Sequence, residues 1–160
     1  MRSLGQDIRY LLNQKGLTLG VVESATGGLI SHLVTDELGS SDYYKGSITA
    51  YSNQTKIKLV GVSEDTIRKY GAVSPQVVEQ MAESGRKVLD VDICLADSGI
   101  AGPGGATQVK PVGIFYIGLS HRTGTFSRKH YFRGNRQQNK REAAKTALAW
   151  LREYLLGLEK

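Results

Sequence analysis

One short run of residues combines hydroxyl side chains with paired glycines at a point where the hydrophobic pattern changes. The run is Val22-Glu23-Ser24-Ala25-Thr26-Gly27-Gly28-Leu29. The residues before it are typical of a buried strand, and the apolar residues from Leu29 onwards recur at helical spacing. The turn therefore presents Ser24 and Thr26 beside a helix N-terminus, where free N–H groups and the helix dipole favour an anion or a developing oxyanion. The same residues also suit an ordinary helix N-cap, so the run alone leaves a catalytic and a structural interpretation open.

Length and composition limit the class of protein. The chain has 160 residues, 40% of them hydrophobic and 22% charged, which indicates one globular domain around a single core. Its single cysteine, Cys94, excludes an internal disulfide framework and is interpreted as a buried thiol. Because no run of about eighteen apolar residues and no signal-peptide pattern occurs, we expect a cytoplasmic protein.

The positive charge is concentrated between Arg122 and Lys145, where Glu142 is the only acidic residue. A nucleotide phosphate, a nucleic acid or simply water facing a basic surface would all be compatible with this segment. A nucleic-acid surface is not favoured, because interleaved exposed aromatic residues and a recognisable binding module are lacking. The three histidines fall on different predicted elements without ligand spacing, so no metal site is predicted.

Helices alternate with strands over the first two thirds of the chain. Strands are predicted over about 17–22, 46–51, 91–96, 112–119 and 125–132, and helices over about 4–13, 29–34, 56–60, 63–71, 74–88 and 135–156. The last two strands are separated by a turn that suits a hairpin. We therefore predict an α/β fold: a three-layer α/β/α sandwich with a mixed, mostly parallel sheet that ends in a β-hairpin and a helix.

This architecture indicates where a site would lie. In such sheets, ligands bind outside the carboxyl ends of parallel strands. The segments that follow Val22, Ala50 and Ala96 should therefore converge. The third of them opens the glycine-rich loop from Ser98 to Gly105, which is richer in flexible residues than a simple connection needs.

Six motifs along the chain have the order and spacing of one known family. They are Glu23-Ser24-Ala25-Thr26-Gly27-Gly28; Gly39-Ser40-Ser41; Tyr51-Ser52-Asn53 with Lys56; Gly71-Ala72-Val73-Ser74-Pro75; Gly99-Ile100-Ala101-Gly102-Pro103-Gly104-Gly105; and Lys110-Pro111-Val112-Gly113. Together they resemble the CinA C-terminal domain family. The resemblance covers nearly the whole chain, so residues 1–160 are interpreted as a single, stand-alone domain of this type.

The resemblance implies an activity, the deamidation of nicotinamide mononucleotide (NMN) to nicotinic acid mononucleotide and ammonia, without a metal or other cofactor. At the positions that match the family, the catalytic candidates are Ser24, Tyr51 and Lys56. Ser24 would attack the carboxamide carbon, neutral Lys56 would take its proton, and N–H groups near Thr26 to Gly28 would hold the oxyanion. This role requires the pKa of Lys56 to lie well below its ordinary value. Two variants stay open: direct attack by water, and Tyr51 as the immediate base.

The resemblance also implies a set of substrate contacts. The candidates are Thr26, Gly27, Gly28, Ser40, Ser41, Asn53, Ser98, Gly99, Arg136 and Arg141. The two arginines suit a monophosphate, because a guanidinium can bind two oxygens at once. Glu23 would orient Lys56 or cap the strand end. As partners, the resemblance implies the nucleotide substrate and a homodimer or larger homo-oligomer, with neither membrane nor nucleic acid expected.

The sequence departs from the family pattern at three positions. Ala25 stands where cysteine is usual, Gln54 replaces a common glutamate, and Asp97 stands where an apolar or small residue is usual. We expect the Asp97 carboxylate to lie beside the anion site and to weaken phosphate binding or change substrate choice. Many members also carry an N-terminal domain linked to dinucleotide pyrophosphatase chemistry; it is missing from this sequence, and we expect that activity to be missing too.

Two other classes of function use the same features. A module that binds a nucleotide without hydrolysing it would need the same glycine-rich loops, and it would bind saturably without releasing ammonia. A nucleic-acid-associated protein would use the basic segment, and its binding would weaken steeply with salt.

Overall fold

The structure is a computed structural model that describes residues 1–158; residues 159 and 160 of the predicted domain lie outside the described part. It has the strands β1 (Leu19–Glu23), β2 (Tyr44–Thr49), β3 (Ile93–Gly99), β4 (Ile114–His121) and β5 (Gly124–Tyr131). They form one sheet in the order β2-β1-β3-β4-β5. β1 pairs in parallel with β2 and β3, whereas β3 with β4 and β4 with β5 are antiparallel. The α/β fold with a mixed sheet is confirmed, but a mostly parallel sheet is wrong, because the terminal hairpin contributes two antiparallel pairs.

The helices are α1 (Leu4–Lys15), α2 (Leu29–Thr35), α3 (Asn53–Thr55), α4 (Glu64–Tyr70), α5 (Pro75–Val88) and α6 (Arg136–Gly157). A 3-10 turn (Ser40–Asp42) precedes β2, and a π-helical turn (Lys56–Val60) follows α3. Side-chain caps define several of the helix starts. Ser74 accepts from the Val77 N–H before a proline at the first turn of α5, and Asn135 forms a capping box at the start of α6.

Helices cover both faces of the sheet, and the alternation along β1 and β3 decides which residues meet which helices. Leu19, Val21, Ile93 and Leu95 pack with residues of α1, α2 and α6. The residues between them, such as Val22, Cys94 and Ala96, pack with α5. Because successive side chains of a strand point to opposite faces, the last residue of β1 and the fifth residue of β3 belong to the α2 and α6 face. Those residues are Glu23 and Asp97, and both are fully buried.

Three smaller expectations concern other parts of the molecule. Cys94 is a buried free thiol on β3, as predicted. None of the helices within residues 1–158 is long and apolar enough to cross a membrane. The same residues contain no group of three or more His, Cys, Asp or Glu side chains arranged to hold a metal ion.

Candidate active site

The segments that follow β1, β2 and β3 converge on one cavity of about 370 Å³ at the carboxyl ends of these strands. This is the edge of the sheet at which the sequence predicts a site. The lining residues are Ser24, Ala25, Tyr51, Asn53, Lys56, Ala72, Val73, Ser98, Gly99, Ile100, Ala101, Gly104, Gly105 and Arg136.

Ser24 and Lys56 touch each other at the base of this cavity. Ser24 directly follows β1, and its side chain is nearly buried. Lys56 directly follows the short helix α3. The N-cap side chain of this helix, Ser52, accepts a hydrogen bond from the Thr55 N–H and so fixes the turn that leads into Lys56. The Lys56 Nζ lies 3.0 Å from the Ser24 Oγ and 2.9 Å from the Tyr51 carbonyl oxygen. The amine is therefore held by a backbone acceptor on one side and faces a hydroxyl on the other.

The surroundings of Lys56 favour its neutral form. Its side chain is only 2% exposed, and burial lowers its pKa from the ordinary value because a charged ammonium is poorly solvated there. The negative charge of Asp97 acts in the opposite direction and raises this pKa. A neutral lysine amine accepts the proton of a hydroxyl at hydrogen-bond distance, so the pair has the geometry of a base and a nucleophile.

Glu23 organises the turn that follows Ser24, and it does so as a helix cap. The main chain turns sharply at Gly27 and Gly28, whose φ angles of +63° and +105° favour glycine. The Glu23 carboxylate accepts the N–H groups of Gly28, Ile30 and Ser31 and the hydroxyls of Thr26 and Ser31. Of the two roles expected for Glu23, contact with Lys56 is not observed within the described chain, and the capped element is α2 rather than the strand end.

The N–H groups expected to hold the oxyanion are engaged in hydrogen bonds within the protein. The Thr26 N–H donates to Asp97 at 3.1 Å, the Gly27 N–H to the Ser24 carbonyl at 3.0 Å, and the Gly28 N–H to Glu23 at 3.2 Å. Since all three donors already have protein acceptors, this geometry does not support an oxyanion site at Thr26 to Gly28. These residues do not line the cavity either.

The neighbouring Ala25 offers a different donor. It lines the cavity beside Ser24. Among the described residues, its N–H has no protein acceptor. In hydrolases with a strand-to-helix nucleophile turn, the N–H of the residue that follows the nucleophile is a standard oxyanion donor.

Tyr51 contributes its main chain to the centre of the site and its side chain to the rim. The side chain is 62% exposed. Its hydroxyl accepts a bond of 3.2 Å from Arg136, whose other nitrogen donates to the Gly102 carbonyl at 2.9 Å. The hydroxyl makes no hydrogen bond to Ser24 or Lys56 within residues 1–158, so this geometry does not support Tyr51 as the immediate base.

Four of the predicted substrate contacts line the cavity: Asn53, Ser98, Gly99 and Arg136. Two of these four also have structural tasks. The Ser98 hydroxyl is buried and donates to the Ala72 carbonyl at 2.7 Å. At Gly99 a Cβ atom would lie 2.4 Å from the Phe115 ring, so only glycine fits there without a shift.

Three other predicted contacts are not brought to the cavity within this chain. Ser40 and Ser41 lie in the 3-10 turn before β2, and β2 runs parallel to β1. They therefore stand at the opposite end of the sheet from the carboxyl ends where the cavity opens. Arg141 is exposed on α6 and does not line the cavity.

The structure adds two residues that the sequence-based site lacks or misplaces. Lys140 is half-buried, and its Nζ lies 3.5 Å from where a Cβ atom would stand at Gly27. It follows Arg136 by four residues, so the two cations share one face of α6, a spacing that is visible in the sequence. Asp97 does not face the cavity as expected; it is fully buried beneath the turn and accepts the Ser24 N–H at 3.0 Å.

Comparisons with known proteins find a matching family and similar sequences. Residues 1–155 match the CinA C-terminal domain family. A CinA-like protein of Thermotoga neapolitana is 46% identical over 145 residues, which are 91% of this chain and 35% of that relative. A CinA-like protein of Syntrophomonas wolfei is 44% identical over 144 residues, again 35% of its own length. The chain thus spans about a third of the curated relatives that it matches.

Solved structures resemble the chain over nearly its whole length. Competence damage-inducible protein A of Klebsiella pneumoniae superposes with a TM-score of 0.94 at 26% identity, covering 98% of this chain and 97% of that chain. A competence or damage-inducible protein of Enterobacter asburiae superposes with a TM-score of 0.91 at 30% identity, with coverages of 97% and 99%.

Proposed function

We propose that this chain, which belongs to the CinA C-terminal domain family, is an amidohydrolase that converts NMN to nicotinic acid mononucleotide and ammonia. The observation that carries the proposal is the 3.0 Å contact between the Lys56 amine and the Ser24 hydroxyl. It joins a nucleophile to a buried base at the base of a cavity. Such a pair is what hydrolysis of a linear amide requires. The choice of NMN as the amide rests on the family resemblance.

In the first half of the proposed reaction, Ser24 attacks the carboxamide carbon while neutral Lys56 takes the hydroxyl proton. The Tyr51 carbonyl, 2.9 Å from Nζ, orients the amine so that its lone pair faces Ser24. When the carbon–nitrogen bond breaks, Lys56 gives the proton to the leaving nitrogen and ammonia departs. In the second half, water attacks the Ser24 ester, Lys56 takes a proton from the water, and the proton returns to the Ser24 oxygen.

The negative charge that develops on the carboxamide oxygen needs a donor. The Ala25 N–H is our candidate, because it lines the cavity and lacks a protein acceptor among the described residues. An aligned backbone donor of this kind is worth about 3 kcal/mol of transition-state stabilisation. Among the standard amino acids, only proline lacks a main-chain N–H, so side-chain mutation does not test this donor. Its role is tested by replacing the amide at residue 25 with an ester, which removes the N–H.

Substrate binding is proposed to use the cavity rim. Arg136 stands there with two nitrogens held by the Gly102 carbonyl and the Tyr51 hydroxyl, so its charge is already oriented. It suits the 5′-phosphate, and the Tyr51 ring offers a flat face to the positively charged pyridinium. Lys140, on the same face of α6, adds a second cation near the Ser24 turn.

The test is ammonia release from NMN by the purified protein and by three lysine or serine variants. Ser24→Ala removes the nucleophile, and Lys56→Met removes the base while keeping a long unbranched side chain. Lys58→Met is the matched control, because Lys58 is exposed on the same π-helical turn. We expect turnover in wild type and Lys58→Met and its loss in the other two. Each variant is checked for intact folding by circular dichroism.

Other outcomes separate the alternatives. Saturable NMN binding by wild type without ammonia release would contradict the hydrolase and favour a nucleotide-binding module. Activity that survives in Ser24→Ala would contradict the acyl-enzyme and favour direct attack by water. Rapid acid quenching followed by intact-protein mass spectrometry distinguishes the two hydrolytic routes, since only the first adds an acyl group to the protein.

A further inference from the structure

Asp97 holds the Ser24 turn from beneath. It is the fifth residue of β3, on the face that α2 and α6 cover, and it is fully buried. Its Oδ1 accepts the Ser24 N–H at 3.0 Å, and its Oδ2 accepts the Thr26 N–H at 3.1 Å. One carboxyl group therefore anchors the turn on both sides of Ala25, the residue proposed to supply the oxyanion donor.

The Thr26 hydroxyl connects Asp97 to the second buried carboxyl group. Its Oγ1 lies 2.6 Å from a Glu23 oxygen and 2.5 Å from an Asp97 oxygen. A hydroxyl has one hydrogen and can donate to only one of the two oxygens. The other short contact requires a hydrogen on the carboxyl side, so one of the two carboxyl groups carries a proton.

That proton belongs to Asp97. Both oxygens of Glu23 already accept hydrogen bonds, from three backbone N–H groups and the Ser31 hydroxyl, whereas Asp97 has only the two N–H groups of the turn. Burial acts in the same direction and raises the pKa of Asp97 to about 6, although its bonds to Thr26 and Ser24 oppose the effect.

The charged groups around this turn come from three elements. Glu23 lies on β1, Lys56 approaches from the π-helical turn, and Lys140 approaches from α6. The negative charge of Glu23 raises the pKa of Asp97, and the negative charge of Asp97 raises that of Lys56. A change in the charge of Asp97 is therefore felt at the amine that faces Ser24.

We propose that Asp97 is a positioning residue for the Ser24–Lys56 pair: it anchors the turn that carries Ser24, and the proton that it shares with Thr26 sets how readily Lys56 becomes neutral. The proposal rests on the proposed function in one respect, that Lys56 acts as the base. With its proton, Asp97 lets Lys56 release a proton more easily. Without it, the carboxylate holds Lys56 in the charged form.

The experiment titrates Lys56 directly by NMR of protein labelled with ¹³C-lysine, without substrate. The Lys56 Cε signal is identified by its absence in Lys56→Met. Asp97→Asn fixes the residue in an uncharged form, and we expect the Lys56 midpoint to fall by about one pH unit, the size of effect that a nearby opposite charge produces. Asp92→Asn is the matched control: Asp92 also accepts a backbone N–H and a hydroxyl from one threonine, Thr18, but at the other end of the sheet. It should leave the midpoint unchanged.

A second variant decides the question if Asp97→Asn does not fold. Asp97→Ala places at this position a small residue of the kind usual in the family and likewise removes the charge, so the Lys56 midpoint should fall as in Asp97→Asn. The proposal is overturned if the folded variants leave the midpoint where it is or raise it. A merely structural role for Asp97 would lower stability without moving this midpoint.

The outcome is independent of whether NMN is the substrate. If the midpoint falls and NMN is not hydrolysed, the role of Asp97 stands and the proposed function fails. If NMN is hydrolysed, the acid limb of the pH profile of kcat/KM should move with the NMR midpoint in Asp97→Asn. If the acid limb of the profile stays in place while the Lys56 midpoint moves, Lys56 is not the catalytic base.

Discussion

The five hydrogen bonds to Glu23 make a prediction about stability whose size follows from the structure. In Glu23→Ala, the N–H groups of Gly28, Ile30 and Ser31 lose their acceptor, while the hydroxyls of Thr26 and Ser31 can turn to other partners. A buried donor without an acceptor costs about 1–3 kcal/mol. Because water reaches the partly buried donors, we expect a total loss of about 3–5 kcal/mol, which is a large share of the stability of a domain of this size.

The isosteric variant Glu23→Gln separates the hydrogen bonds from the charge. Its remaining oxygen can keep the bonds to Thr26, Gly28 and Ile30, and its amide group can donate to the Ser31 hydroxyl. Only the Ser31 N–H then lacks an acceptor, and α2 loses a negative charge at its N-terminus. We expect a loss of about 1–2 kcal/mol, clearly less than in the alanine variant.

The assay is urea unfolding at neutral pH, followed by circular dichroism and by the fluorescence of Trp150, the only tryptophan. Equal slopes with denaturant show that the variants are compared on the same two-state basis. Glu83→Ala is the control, because Glu83 is half exposed and pairs with Lys87 at 3.7 Å, so it should change stability by less than about 0.5 kcal/mol. The argument from hydrogen bonds would be refuted if Glu23→Ala unfolded with the same free energy as wild type, or if both Glu23 variants lost the same amount of unfolding free energy.

Three further predictions concern pH, packing and substrate binding. Burial raises the pKa of Asp97 to about 6 in the folded protein, so the folded state binds a proton at a higher pH than the unfolded state does. As the pH falls from about 7 to below 4, the unfolding free energy of wild type should therefore gain about 3 kcal/mol relative to that of Asp97→Asn. Urea titrations at several pH values measure both free energies, and a constant difference between the two proteins would contradict the prediction. In Gly99→Ala the new methyl group would overlap the Phe115 ring, so the free energy of unfolding should fall by about 1–3 kcal/mol. Gly104→Ala is the control, because there is open space around Gly104. Equal thermal unfolding midpoints of the two variants would argue against the close contact at Gly99. Arg136 lines the cavity and Arg141 does not, so Arg136→Met should raise KM for NMN about tenfold with little change in kcat, while Arg141→Met should leave KM unchanged. Equal effects of the two substitutions in steady-state kinetics would contradict the proposed contact between Arg136 and the phosphate.

Much of the site could be predicted from strand direction alone. The position of Ser24 after the first strand and of Lys56 after the second is enough to bring them to one edge of a parallel sheet. The same rule, applied to Ser40 and Ser41, places them before a strand and hence at the other edge, where the structure has them. Their hydroxyl groups and the family resemblance had put these two serines with the substrate contacts.

The side of the strand on which a residue lies was also readable. Asp97 is in phase with Ile93 and Leu95, which face the α2 and α6 core, so the period of two predicts an inward carboxyl group rather than one beside the substrate. What the sequence does not contain is the partner of that carboxyl group. Its bonds join residues 73 and 71 positions apart, and they exist only because the sheet sets β1 beside β3.

The use of main-chain atoms lies beyond sequence patterns. Lys56 is held by the carbonyl of Tyr51 and not by its phenol, and no residue type signals this choice. The phenol is instead bonded to Arg136, which the chain places 85 positions away. The catalytic role expected for Tyr51 came from the family resemblance, whereas in the structure the contact with Lys56 is made by the Tyr51 main-chain carbonyl.

Among the described residues, the hydrogen bonds of the turn leave one N–H without a protein acceptor. The N–H groups of Ser24, Thr26, Gly27 and Gly28 all have acceptors within the protein, and three of these acceptors are oxygens of the two buried carboxyl groups. The remaining N–H is that of Ala25, a residue that lines the cavity beside Ser24. In the proposed reaction, the Asp97 carboxyl group would serve the oxyanion site without touching the substrate, because it accepts the Ser24 and Thr26 N–H groups and leaves that of Ala25. Its negative charge favours the charged form of Lys56, and this effect is lost when Asp97 takes up a proton.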